Sequence, residues 1–278
     1  MIVAVTGSSG LLGRAIVDAL MAAGHEVRGI DTVPARTAVT SHLTADLTDF
    51  GEMVMALKGA DVVVHGAAIP RPTGRTATDV FSTNIALAYN AVEACVVLGI
   101  RRLIYASSFS VLGFPFFVKP IDIHYLPVDE AHPNAPQDAY ALSKTLGEDI
   151  IDAAVRRGAL DAVSLRMPWI QSAETFLREV GPRRAGKDSG RDLWSYIDAR
   201  DAAAAFLAAV EGKTTGHVRL FLSAADTYSE TPTADLIQAA FGNLPLKKPL
   251  PGHAAVIDTD AARAAIGFVP KHSWREYQ

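Results

Sequence analysis

The chain opens with a short β-branched run, Ile2–Thr6, that passes through three glycines, Gly7, Gly10 and Gly13, straight into a helical pattern over Leu11–Ala23. A strand, a tight turn and a helix in immediate succession open a β-α-β unit, which forces a parallel sheet with helices on its faces. The glycines suit that turn. Gly7 permits the tight bend, Gly10 lets the backbone approach a pyrophosphate, and Gly13 lets helix and strand pack closely. The helix N-terminus offers free N–H groups and the positive end of its dipole to phosphates, so Ser9, Leu11 and Leu12 join the candidate phosphate cradle. The spacing is G-x-x-G-x-x-G, where the standard dinucleotide fingerprint has G-x-G-x-x-G.

The pattern continues downstream. Strand-like runs at Glu26–Asp31, Asp61–His65, Arg101–Ser107 and Ala162–Arg166 alternate with helical patterns at Asp49–Leu57, Asp79–Leu98 and Ala139–Arg157. The fold class expected is α/β, a doubly wound parallel sheet of the Rossmann type with a small C-terminal substrate-binding cap. The dinucleotide-binding part spans 1–167 and the cap mainly 168–278, interleaved with the core. Within the later part, Ala173–Val180 reads as a short helix, Gly181–Asp192 as a polar loop, and Leu193–Ile197 as a strand. Ala199–Val210 reads as a helix, and Val218–Leu222, Thr233–Phe241 and Asp260–Ile266 as shorter elements.

Composition narrows the class. Hydrophobic residues make up 49% and charged residues 20%, too apolar for disorder. A formal charge of −4 lacks the basic footprint of a nucleic-acid binder. The longest apolar run, around Ala202–Val210, is about half of the ~18 residues a membrane span requires. A single cysteine, Cys95, excludes an internal disulfide, and no metal site is expected among the scattered histidines. No basic leader precedes the first strand, so a cytoplasmic protein is expected.

Asp31 ends the second strand, 18 residues beyond Gly13. A carboxylate there accepts from both ribose hydroxyls of an adenosine and repels a 2′-phosphate, favouring NAD over NADP. Arg36 is the counter-argument, since it can turn toward a 2′-phosphate. Asp46 and Leu47 are placed at the adenine, with a helix N-cap at Asp46 or Asp49 as the alternative.

Tyr140 and Lys144 stand four residues apart on a helix and so share a face. A phenol has a pKa of about 10 and is a poor base near neutrality. A lysine cation and a positively charged nicotinamide would stabilise its phenolate. Spacing alone is weak, but three features occur in order. The glycine turn opens the chain, a strand ends in Tyr105-Ala106-Ser107-Ser108-Phe109-Ser110-Val111-Leu112-Gly113, and Tyr140 follows 32 residues after Ser108.

With these residues the sequence resembles the extended short-chain dehydrogenase/reductases, the NAD-dependent epimerase/dehydratase family. The resemblance covers nearly the whole chain. Its anchors also include Asp31, His65–Ala68, Asn84, Leu165-Arg166, Tyr196–Asp201 and Gly267–Pro270. It implies that Tyr140 is the general acid/base and that Lys144 lowers its pKa and binds the nicotinamide ribose. Ser108 is implied as the catalytic hydroxyl, with Ser107 and Ser110 as rivals that also face substrate. Gly66, Ala67 and Ala68 would line the cofactor, Asn84 would support the site or be a satisfied core amide, and Pro168 would sit near the carboxamide. Leu112 stands where the family usually has tyrosine.

The fold does not choose the reaction. Tyr196 follows Arg166 by only 30 residues, a short segment beside relatives that build a nucleotide pocket there. The compact build resembles uronate dehydrogenases. The expected reaction is hydride transfer between a hydroxyl carbon of a small sugar or sugar acid and NAD. An NAD-dependent epimerase is the first alternative and a dinucleotide sensor without chemistry the second. Arg183, Arg184, Lys187 and Arg191 cluster in the cap, and Arg191 is the candidate clamp for a substrate carboxylate; a solvated charge cluster is the rival reading. Phe114–Phe117 walls the pocket or packs in the core. His124 and His132 reach substrate or lie at the surface. The apolar helix Asp79–Leu98 requires cover on more than one side, either from a second copy in a homodimer or from the cap.

Overall fold

The computed structural model describes residues 1–185 and 190–277. Four β-α steps, with no helix between β2 and β3, give β1 (Ile2–Thr6), α1 (Leu11–Ala22), β2 (Glu26–Asp31), β3 (Ser41–Thr44), α2 (Phe50–Leu57), β4 (Val62–His65), α3 (Ala77–Leu98), β5 (Arg102–Ser108), α4 (Ala139–Arg156) and β6 (Asp161–Met167). Then follow β7 (Trp169–Gln171), α5 (Ala173–Thr175), β8 (Tyr196–Asp198), α6 (Ala199–Glu211), β9 (His217–Phe221), α7 (Thr233–Phe241) and α8 (Asp260–Ile266).

Seven strands form one parallel sheet in the order β3-β2-β1-β4-β5-β6-β9. Central strands are buried on both faces, which is why Val62–His65 reads as an unbroken apolar run rather than an alternation. One face carries α1 and α6, whose Ile16, Val17 and Leu20 share a core with Ala202, Phe206 and Ala209. The other carries α2, α3 and α4 over Ala4, Val63, Leu103 and Ala162. The order reverses between β1 and β4, so a crevice opens outside their carboxyl ends.

The last third enters the sheet. β9 extends it beside β6, and α6 packs on α1, while β7 and β8 pair separately in parallel. Phe176, Trp194, Tyr196, Tyr228 and Trp274 form a second, aromatic core beneath the cap.

Three segments differ from the sequence reading. The strand expected at Leu193–Ile197 starts only at Tyr196, because Leu193 and Trp194 adopt left-handed backbone (φ 54 and 49). Ala173–Val180 is one α-turn that widens into π-type turns over Phe176–Val180. Ala202–Val210 is the longer unbroken apolar run, but the sequence reading did not single out α3 as a candidate span, though it is apolar on average over a greater length. By length and composition α3 would suffice to cross a membrane. Here it packs as a core helix against α2 and α4, and its Asn84 and Asn90 are hydrogen-bonded to loop backbone.

Candidate active site

A cavity of about 1350 Å3 lies along the carboxyl edge of β1, β2, β4 and β5. That exceeds the ~300–1,000 Å3 of a pocket for one drug-sized ligand. Gly7, Ser9, Gly10, Leu11, Leu12, Gly13, Asp31, Asp46, Leu47, Gly66, Ala67 and Ala68 line one end. Ser107, Ser108, Ser110, Tyr140, Lys144, Pro168 and Arg191 line the other.

The dinucleotide end is built from backbone. Gly7 has φ +73, and a Cβ on it would stand 2.8 Å from the Ala67 nitrogen. A Cβ on Gly13 would lie 2.0 Å from the Gly7 carbonyl, so helix and turn meet only because Gly13 has no side chain. Gly10 is different: a Cβ there would meet nothing in the protein closer than 3.4 Å. Packing does not demand that glycine, and its bare backbone serves the space beside it. Asp49, Thr76 and Asp138 cap the N-termini of α2, α3 and α4, whereas no side chain caps α1 and no acid lies in its first turn. An uncapped N-terminus at a cavity wall suits a phosphate group.

Asp31 accepts the Ser9 N–H at 2.9 Å and the Val33 N–H at 3.3 Å, so it anchors the glycine turn while facing the cavity. Asp46 accepts from the Thr48 N–H and hydroxyl, which hold its carboxyl below the usual range; the helix cap is Asp49. Arg36 also lines this end. The residues present thus fit an adenine dinucleotide: a bare turn, an uncapped helix and an acid at the ribose position.

At the other end, β5 delivers Ser108 and α4 delivers Tyr140 and Lys144. The Asp138 carboxylate caps α4 by accepting the Tyr140 and Ala141 N–H groups at 2.8 and 2.9 Å. Ser108 Oγ lies 2.8 Å from Ser110 Oγ and accepts the Ser110 N–H. Lys144 Nζ donates to the Ala106 carbonyl at 2.7 Å and stands 5.8 Å from the Tyr140 ring centroid. Burial pushes Tyr140 up to about 12, with Ser108's hydrogen bond drawing it back and Asp138 adding to the rise. Burial brings Lys144 down to about 8, against the pull of Glu148. Within the chain alone the lysine does not bring the phenol into working range; the expectation joined it to the positive charge of a nicotinamide. Desolvation outweighs the neighbouring cation.

Other candidates have different tasks. Ser107 lines the cavity, and its hydroxyl donates to Glu148 at 2.6 Å, within a buried ion cluster. Asn84 is not a lining residue. Its amide accepts from Ile69 N–H and donates to the Ile69 carbonyl and to Ser143, fixing the chain after β4. Arg191 sits on the rim over the Phe117 ring (4.2 Å) and donates to the Phe117 and Pro115 carbonyls. It thereby ties the cap to the 114–117 loop. Pro115 and Phe116 line the cavity, while Phe114 is buried in the core. Arg183 lines the cavity and lies over the Trp169 ring at 5.0 Å. Arg184 instead stacks on Trp274. Lys187 falls outside the described residues. His132 is buried within its loop and His124 is solvent-facing.

The sequence reading passed over Glu148 and Arg219, and took Arg166 only as an anchor of the resemblance. Glu148 takes two hydrogen bonds from Arg166 (2.9 and 2.6 Å) and one from Arg219 (2.9 Å), almost without solvent contact. A signal was present: Tyr140, Lys144, Glu148 and Asp152 recur every four residues on α4, one stripe facing the sheet.

A family model described as NAD dependent epimerase/dehydratase family matches residues 3–221. The chain belongs to that family. Its cofactor is NAD. An L-arabinose 1-dehydrogenase (NAD(P)(+)) of Haloferax volcanii is 30% identical over 197 residues, 69% of this chain and 76% of that protein. A uronate dehydrogenase of Pseudomonas syringae pv. tomato is 30% identical over 167 residues, 58% of this chain; the match spans little more than half of that relative, 57%. A short-chain dehydrogenase/reductase superfamily protein from Agrobacterium tumefaciens, solved with bound NAD, aligns over 100% of this chain and 94% of its own. Its TM-score is 0.77 at 25% identity.

Proposed function

We propose that this family member is an NAD-dependent dehydrogenase oxidising a hydroxyl carbon of a small free sugar or sugar acid. The observation that carries the reading is the convergence of Ser108, Tyr140 and Lys144 on one end of a cavity whose other end is the glycine turn and Asp31. The names of two relatives, an arabinose and a uronate dehydrogenase, support the substrate class.

The glycine turn, the α1 N-terminus, Asp31 and Lys144 would hold the dinucleotide. Bound there, NAD supplies a hydride acceptor and, oxidised, a positive charge. Ser108 holds the substrate oxygen by hydrogen bonding. Tyr140, as phenolate, takes the hydroxyl proton as the carbon loses its hydride and the carbonyl forms. Lys144 keeps a positive charge near the phenolate. Arg191 and Arg183 stand at the rim to meet polar groups of the sugar.

The test is a panel of free aldoses, uronates and polyols with NAD+ and NADP+, following reduced cofactor. One of them should give sustained NADH, and Tyr140→Phe should bind NAD yet lose turnover by orders of magnitude. Interconversion of two sugars without net NADH would instead make the protein an epimerase. NAD uptake with no turnover of any sugar would make it a sensor.

The same reading takes the protein as a cytoplasmic homodimer. Exposed Tyr89 and Val97 on α3 and Leu142 on α4 favour self-association, and the lone Cys95 is compatible with a reducing compartment. Sedimentation at micromolar concentration should give twice the chain mass.

A further inference from the structure

Lys144 is a charged group in a poor place for charge. It is buried, and burial favours its neutral amine. Its Nζ donates a hydrogen bond to the Ala106 carbonyl. Glu148, one turn along α4, draws Lys144 toward the ammonium, though it is itself bound to Arg166 and Arg219. A second group favours the ammonium from the side of the sheet.

The Tyr105 side chain of β5 fills that role geometrically. Lys144 Nζ stands 4.8 Å from the centre of its ring, within cation–π range. The ring does not lie there by default. It is stacked on His65 of β4, with centroids 5.9 Å apart and planes 10° apart. Its hydroxyl end occupies the place where any side chain at position 147 would go. A Cβ on Gly147 would stand 2.4 Å from the Tyr105 oxygen. A glycine in the middle of α4 is less favourable than alanine there, and here it leaves the room for this ring.

Both aromatic groups are neutral. Burial drives the Tyr105 phenol far up. Burial and the Lys144 cation bring His65 down to about 3. Thr6 Oγ1 accepts the Gly66 and Ala67 N–H groups, so its one hydrogen goes to His65 Nδ1 at 2.8 Å. The imidazole is thus held as the uncharged Nε2–H tautomer. The ionisable groups about Lys144 are then Tyr140 and Glu148 from α4, Tyr105 from β5 and His65 from β4. Arg166 of β6 and Arg219 of β9 stand behind Glu148.

The geometry points to Tyr105 as a positioning residue, whose ring is the neutral platform that keeps the Lys144 ammonium charged and in place beside Tyr140, with Gly147 as its clearance. The proposal rests on the Tyr140/Lys144 chemistry proposed above, but its primary readout does not.

That readout is the titration of Lys144 itself, followed by NMR in protein carrying 13C at the lysine ε-carbons and assigned with Lys144→Met. Tyr105→Phe keeps the ring and should leave the Lys144 midpoint where it is in the parent. Tyr105→Leu removes the π face and should lower the midpoint by about one pH unit. Tyr105→Met, closer in bulk and flexible, repeats the test if the leucine variant is insoluble. Activity gives a second signature. At pH 6 Lys144 is protonated in either case and kcat/KM of the leucine variant should match the parent, whereas above pH 8 it should fall about tenfold. A folded leucine or methionine variant with an unmoved Lys144 midpoint would overturn the proposal. So would a phenylalanine variant shifted as far as the leucine one. If no sugar is turned over by the parent, the dehydrogenase reading fails while the titration still decides the role of Tyr105.

Discussion

Tyr140 and Lys144 must hold unequal charge states for the site to work: the phenol without its proton, the amine with it. Lys144 lies near 8 and Tyr140 near 12 in the protein, so only one proton leaves the pair near pH 8. Below that pH the competent form grows tenfold per unit; above it, phenolate gained is matched by ammonium lost. The kcat/KM for oxidation, measured at saturating NAD+, is expected to climb through neutrality and level near or below pH 8. A profile flat from pH 5 to 8 would remove Tyr140 from the role of base. Asp31 carries a second expectation. It pins Ser9 as well as facing the ribose position, so Asp31→Ser should weaken NAD+ binding about tenfold and narrow the preference over NADP+, read by calorimetry with both. At this scale the sequence showed Tyr140, Lys144, Asp31 and the glycines, because each sits at a fixed offset from a turn or along a helix. It did not show that the Ser107 hydroxyl, though it borders the cavity, goes to Glu148 while that of Ser108 pairs with Ser110. Adjacent strand residues point to opposite faces, and one residue of register decides which is which.

The elements were legible where period and punctuation agree. Gly99 in left-handed backbone ends α3, and Asp49 caps α2. Legibility failed where the backbone departs from regular geometry. Leu193 and Trp194 read as strand residues by type, yet both are left-handed, a conformation costly for bulky side chains and sustained here by a buried setting. The helix that matters most is α4, because its first turn fixes Tyr140. Asp138 does two opposed things there: it caps the helix and its charge pushes the phenol up. Asparagine retains the cap and removes the charge. Asp138→Asn should therefore keep the melting temperature close to the parent's and raise kcat/KM at pH 6. Asp138→Ala should lose about 1 kcal/mol of stability, seen in chemical denaturation. Equal stability loss in both would show that the charge, not the cap, holds the helix end.

Over the whole molecule, the parallel sheet and its crevice followed from the alternation of elements, but the way the last third joins them did not. Nothing in the spacing announces that β9 completes the sheet, or that Arg219 on it reaches Glu148 and Asp152 on α4. The cluster joins α4, β6 and β9 through ionic groups and a histidine, His217, that also meets Asp152. Such a construction has a pH consequence whose sign is fixed. Glu148 and Asp152 are held below their ordinary values by their arginine and histidine partners, despite burial. His65, His132 and His217 are held below 6.5, each chiefly by burial. In all five the unfolded chain binds protons more readily than the folded one, so the stability they confer is present above the unfolded values and lost as pH falls. The histidines act first, from about pH 6.5 downward, and His65 continues to about 3; the carboxylates follow below about 4.5. One buried neutral histidine costs up to about 1.4 kcal/mol per pH unit in that window. Unfolding free energy by urea is expected to decline steadily from pH 7 to 4. His65→Gln should start lower, since Thr6 loses its ring partner, and should decline less steeply. A parent protein whose stability is unchanged between pH 7 and 4 would mean that these histidines take up protons without unfolding, and that the packing around His65 is looser than its stacking on Tyr105 requires.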